Sequence, residues 1–168
     1  MTEQAIGILR YRQPDAYAKI KGSPAYPGIQ GMVWFYEFLE GTLVCVEAAG
    51  LPVEWRTERK EGADAGNCPG AMFGLHLHEG DACSGTVSDP FANAKGHFNP
   101  GRCEHPDHAG DFPVLVGNRG YAWMAFYTDR FRPSQIRGRT VIIHEMPDDY
   151  RTQPAGDSGV RIACGVVY

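Results

Sequence analysis

Along this chain, short β-prone apolar runs alternate with polar stretches rich in glycine and proline. Tyr17–Lys21 ends at Gly22-Ser23-Pro24. Gly31–Phe38 is aromatic and β-prone, Glu40-Gly41 makes a turn, and Thr42–Glu47 follows, so the pair predicts a hairpin. Further strands are predicted at Leu75–His78, Gly120–Tyr127, Thr140–His144 and Arg161–Val167. The polar stretches are 54–70, 80–113 and Pro147–Gly159. A stretch as long as 80–113 is usually functional or disordered, and metal ligands within it would give it a reason to be ordered. No long helix is predicted, and Phe131–Arg137 holds at most one short turn. Strands at such close spacing predict an all-β sandwich or barrel.

A length of 168 residues suits one domain spanning 1–168. The 21 glycines and 12 prolines favour a turn-rich fold over a helical one. A net charge of −4 with no long basic run gives no case for nucleic acid. No apolar stretch reaches membrane-spanning length, so no membrane partner is expected. The first residues lack the features of a signal peptide. The expectation is a soluble, cytoplasmic protein, or an extracytoplasmic one if a leader precedes this sequence. The strand Met32-Val33-Trp34-Phe35-Tyr36 is bulky on both faces. That suits a homodimer surface, or equally an outer face covered by the N-terminal segment.

All six histidines fall into short clusters: His76 and His78; His97 with His105 and His108; and His144. None is left for ordinary surface or core duty, and imidazole is a common ligand for copper and zinc. In a strand, His76 and His78 share one face while Leu75 and Leu77 point into the core. The five cysteines, Cys45, Cys68, Cys83, Cys103 and Cys164, form no Cys-x-x-Cys pair. By default they are reduced thiols or metal ligands.

The segments His76-x-His78-Glu79, Gly96-His97-Phe98-Asn99-Pro100, Ala109-Gly110-Asp111, Gly138 to Glu145, Asp148-Asp149 and Gly159 to Gly165 resemble the copper/zinc superoxide dismutase family. Thr152 to Gly159 is similar to the shortened loop of its bacterial members. The resemblance covers roughly residues 16–168 and leaves 1–15 as an N-terminal extension. It implies an eight-stranded Greek-key β-barrel with two long functional loops.

The resemblance also implies a site. His76, His78, His97 and His144 would bind copper. His97, His105, His108 and Asp111 would bind zinc, with His97 bridging the two metals. Four nitrogens suit copper, and three imidazoles with a carboxylate suit a closed structural zinc. Asp148 would link a copper-binding and a zinc-binding imidazole. Arg161 would guide the superoxide anion, and His97 would take part in catalysis. Cys83 and Cys164 would form a disulfide; whether Cys68 and Cys103 pair is left open. One departure stands out: only Pro106 and Asp107 separate His105 from His108. The implied activity is dismutation of superoxide to dioxygen and hydrogen peroxide. The alternative is a copper/zinc storage or delivery protein with little turnover.

Overall fold

The computed structural model describes residues 2–53 and 70–168. One helix, α1 (Thr2–Tyr11), precedes nine strands. They are β1 (Ala16–Gly22), β2 (Gln30–Phe38), β3 (Gly41–Ala49), β4 (Gly70–Phe73), β5 (Leu75–His78), β6 (Leu115–Asn118), β7 (Tyr121–Thr128), β8 (Thr140–His144) and β9 (Arg161–Val166). Every pairing is antiparallel, in the order β4-β6-β7-β3-β2-β1-β9-β8-β5. β3 neighbours β7 rather than β4, the crossing expected of a Greek key.

The two outermost strands of this order, β4 and β5, are consecutive in sequence and parted only by Gly74. The chain itself therefore links the two ends of the sheet, which forms a nearly closed barrel. Gly74 donates its N–H to Met146 O at 2.7 Å and accepts from His144 N–H at 2.8 Å. A Cβ there would stand 2.8 Å from Ser158 Oγ and 3.1 Å from Met146 O, so the crossing needs glycine. Counted through this kink, β4 and β5 are one strand, which reconciles nine strands with the eight expected.

Register places the core. Ala18, Val33, Val46 and Met124 lie side by side across four strands, and Ala16, Phe35, Val44 and Phe126 form the next layer. The alternating burial of β1 follows directly from this pleat.

Besides a 3-10 turn at Ala92–Ala94, the sequence reading misses three elements. β4 and β6 have four residues each, and β4 adjoins the polar run that predicted a loop over 54–70. The remainder of that predicted loop lies outside the described residues. The third is α1. Ala5, Ile8 and Leu9 sit at helical spacing and pack on Tyr36, Leu43 and Cys45, beside Trp34 and Phe38. The bulky outer face of β2 is thus covered by the N-terminal segment. Phe131–Arg137 contains the expected short turn, a 3-10 turn at Pro133–Gln135. Among the described residues, no helix is long and apolar enough to cross a membrane.

Cys45 is a buried free thiol beneath α1, and burial, with the charge of Glu47, pushes its pKa up. Leu9→Asp is expected to weaken helix docking by about 1.5 kcal/mol, the low end for one apolar side chain. Alkylation of Cys45, mapped by peptide mass, should then accelerate about tenfold while the barrel's circular dichroism persists.

Candidate metal centre

β5 carries four buried side chains: Leu75 and Leu77 inward, His76 and His78 on the other face. Two loops bury the histidine face. Residues 96–111 dock on the free edge of β5 through Phe98 N–H to Leu77 O (2.7 Å), Leu77 N–H to Gly110 O (2.9 Å) and Glu79 N–H to Gly96 O (2.9 Å). A Cβ on Gly110 would lie 2.1 Å from Leu77 O, so glycine permits the approach. Residues 147–159 fold over the same face and bring in Asp148.

Asp148 accepts from His76 Nε2 at 2.8 Å, from His105 Nε2 at 2.9 Å and from Tyr150 N–H at 2.7 Å. These bonds put the ring protons on Nε2 and leave lone pairs on Nδ1 of His76 and His105. His78 Nδ1 donates to Lys95 O at 2.9 Å, and His144 Nδ1 donates to Gly159 O at 3.2 Å. Their Nε2 atoms therefore hold lone pairs, and they face each other at 3.4 Å. His97 Nδ1 lies 2.6 Å from Asp111 Oδ1, which leaves Nε2 bare.

His76 Nδ1, His97 Nε2 and His105 Nδ1 are buried and have no hydrogen-bond partner. A buried polar atom left unpaired costs about 1–3 kcal/mol. Converging lone pairs of this kind suit a cation held among them. Two ligand groups result, each with its donor atoms within 4.8 Å of one another: His76, His78, His97 and His144; and His97, His105, His108 and Asp111. His97 belongs to both. Four imidazoles make a set suited to copper, and three imidazoles with a carboxylate a set suited to zinc.

Burial and the neighbouring imidazoles lower the pKa values of His76 and His78 far below the ordinary value. Burial takes His144 down to about 4, against the opposing hydrogen bond to Gly159. Burial would raise the Asp111 carboxyl, but the hydrogen bond to His97 and the surrounding imidazoles hold it below its usual value.

Arg161, at the start of β9, donates to Phe91 O at 2.7 Å and Lys95 O at 2.6 Å. It lines one cleft of about 420 Å³ with His78, His97, His108 and His144. The Cys83–Cys164 disulfide, with Cα atoms 5.6 Å apart, ties the loop carrying Phe91 and Lys95 to the strand carrying Arg161. In the chain-entropy account, a cross-link over 81 residues stabilises by about 4 kcal/mol. Cys103 is free and exposed, and Cys68 lies outside the described residues.

The structure thus brings the six histidines together with Asp111 and Asp148, and places Arg161 in the cleft that four of the rings line, whereas Cys83 and Cys164 lie outside that lining. It adds groups the sequence reading missed. Lys95, at φ 62° and ψ −150°, turns its carbonyl to both His78 and Arg161 from a backbone region that favours glycine. Gly156 leaves room for Asp148, since a Cβ there would lie 1.9 Å from Asp148 Oδ1. Arg130 and Gln153 hold backbone atoms of the loop bearing His105 and His108. Gly156 had a signal, a glycine in a polar loop; the others had none.

Residues 31–167 match the family described as Copper/zinc superoxide dismutase. The chain is 40% identical over 144 residues to the Superoxide dismutase [Cu-Zn] of Deinococcus radiodurans, covering 75% of this chain and 70% of that one. It is 34% identical over 152 residues to Superoxide dismutase [Cu-Zn] 2 of Aquifex aeolicus, covering 82% and 78%. A crystal structure of a SOD-like protein from Bacillus subtilis superposes with a TM-score of 0.66 at 28% identity, covering 89% of this chain and 96% of that one. This chain belongs to the copper/zinc superoxide dismutase family.

The lowered histidine pKa values set a pH dependence for the metal-free protein. The unfolded chain takes up protons near the ordinary histidine value of about 6.5, while folded His144 does so only near 4. The unfolded state therefore binds more protons between these values, and stability falls as pH drops through that window. Thermal midpoints of metal-free protein should decline steadily from about pH 7 to about pH 4.5; a flat profile would contradict the assigned shifts.

Proposed function

We propose that this protein is a superoxide dismutase, converting superoxide to dioxygen and hydrogen peroxide. The observation that carries the reading is the set of four converging imidazole nitrogens, three of whose rings, His78, His97 and His144, line one cleft with the Arg161 guanidinium. His76, His78, His97 and His144 would hold copper, which would supply one-electron redox chemistry between two superoxide anions. His97, His105, His108 and Asp111 would hold zinc in a closed site, with His97 common to the two groups.

The chain's own residues supply the rest. The net charge of −4 disfavours approach of an anion, so local positive potential has to dominate at the cleft. Arg161 provides it. Its guanidinium stays charged and is held by two carbonyls, and it offers donors to a small anion. His97 Nε2 is buried, unpartnered and at the cleft, while its Nδ1 is fixed beside Asp111, so this ring could pass a proton to the peroxide only when Nε2 is not serving as a ligand. Asp148 keeps His76 and His105 in the tautomers that aim Nδ1 at the two groups.

His144→Ala is expected to abolish dismutation and copper retention while the fold, followed by circular dichroism, persists. Full activity in that variant would overturn the assignment. Activity absent from copper- and zinc-loaded wild type would favour metal storage or delivery instead.

Arg161→Glu reverses the cleft charge without removing a ligand. Activity should fall by at least about tenfold, with copper and zinc content unchanged. The gap from wild type should narrow as ionic strength rises. Wild-type activity at low salt would reduce Arg161 to a structural contact.

A further inference from the structure

Between His105 and His108 stand only Pro106 and Asp107. In so short a spacer there is no slack. The backbone of the turn dictates where both rings point, and any drift of the turn moves two ligands of the second group together. The turn's own bonds are few: Asp107 N–H to Glu104 O at 2.8 Å, Asp111 N–H to His108 O at 3.2 Å and His108 N–H to Asp111 Oδ2 at 2.9 Å.

Two side chains from distant parts of the chain supply the remainder. Arg130, in the loop after β7, donates through one nitrogen, Nη1, to Pro106 O at 3.0 Å and His108 O at 2.9 Å. Its Nη2 lies 3.6 Å from the exposed Asp107 carboxylate, a pairing that contributes little. Gln153, in the loop that also carries Asp148, closes a two-way amide pair with His105. Its Oε1 accepts from His105 N–H at 3.1 Å, and its Nε2 donates to His105 O at 2.6 Å. His105 is thus gripped at its own peptide groups, and His108 by its carbonyl. Both grips act on backbone atoms.

We propose that Arg130 and Gln153 are positioning residues for zinc, an external clamp that replaces the ordering a longer spacer would build into itself. The inference rests on the reading that His97, His105, His108 and Asp111 hold zinc. Outer partners that orient metal ligands are typically worth 10–100-fold in metal affinity. Neither residue belongs to the copper group, so copper binding is spared.

The test is zinc affinity of the copper-loaded protein, by competition with a chromophoric chelator, for wild type, Arg130→Met, Arg130→Lys, Gln153→Ala and His108→Ala. Arg130→Met and Gln153→Ala should each weaken zinc by about 10–100-fold. The copper visible spectrum and the thermal midpoint of the metal-free protein should stay at wild-type values. Arg130→Lys, whose ammonium can still donate to both carbonyls, should recover part of the loss. Cobalt(II) in place of zinc should show an altered ligand-field spectrum in Arg130→Met. Unchanged zinc affinity in both Arg130→Met and Gln153→Ala overturns the clamp. So does a loss of zinc that merely tracks a lower metal-free midpoint. If Arg130→Met does not fold, Gln153→Ala, which removes no charge, decides alone. If His108→Ala binds zinc as wild type does, the zinc reading itself fails, and the clamp with it.

Discussion

One buried carboxylate organises the centre. Asp148 receives two imidazole N–H groups and a backbone N–H, so its charge is spread over three donors away from water. Charge-assisted bonds of this kind are among the stronger ones in proteins. Their effect reaches beyond the carboxylate, because they decide which nitrogen of His76 and of His105 stays bare. One of these rings belongs to each ligand group. A single side chain therefore sets the donor atoms of both, and the 147–159 loop exists in its observed shape to deliver it. The missing side chain at Gly156 is part of that delivery.

The opposite wall of the cleft is governed by a single backbone carbonyl. Lys95 O accepts from His78 and from Arg161, so a ligand ring and the guanidinium share one anchor. A residue other than glycine held at φ 62° and ψ −150° carries a conformational cost of about 1–3 kcal/mol. The disulfide, docked with Phe91, Ala94 and Ile142 in a small apolar cluster, helps keep that conformation in place.

The chemistry of the centre was more legible than its support. His76 and His78 declare themselves by spacing alone, since alternation in a strand puts them on one face. The chain has only six histidines, so their clusters stand out in the sequence. Arg130 and Gln153 act on peptide groups 22–48 positions away, and nothing local distinguishes them from surface residues. Lys95 was hidden for a different reason, because its role belongs to its carbonyl and not to its side chain. Among the elements, β6 was too short to show a period. α1 was obscured by Gly7 and by its length, since a ten-residue helix depends on the face it packs against.

The closure of the barrel at Gly74 has a kinetic corollary. His97 and Asp111, within the second group, are 14 residues apart, whereas His78 and His144, within the first, are 66 apart, and His76 and Asp148 are 72 apart. Loop-closure entropy rises with the logarithm of that distance, so joining His78 to His144 costs about 1.4 kcal/mol more than joining His97 to Asp111. Pairs of high sequence separation also tend to be late in folding. The ligands of the second group all lie in one segment, from His97 to Asp111, although Arg130, Asp148 and Gln153 reach it from outside. The first exists only once β8 has paired with β5, so a complete ring of its four nitrogens is a signature that the barrel has shut.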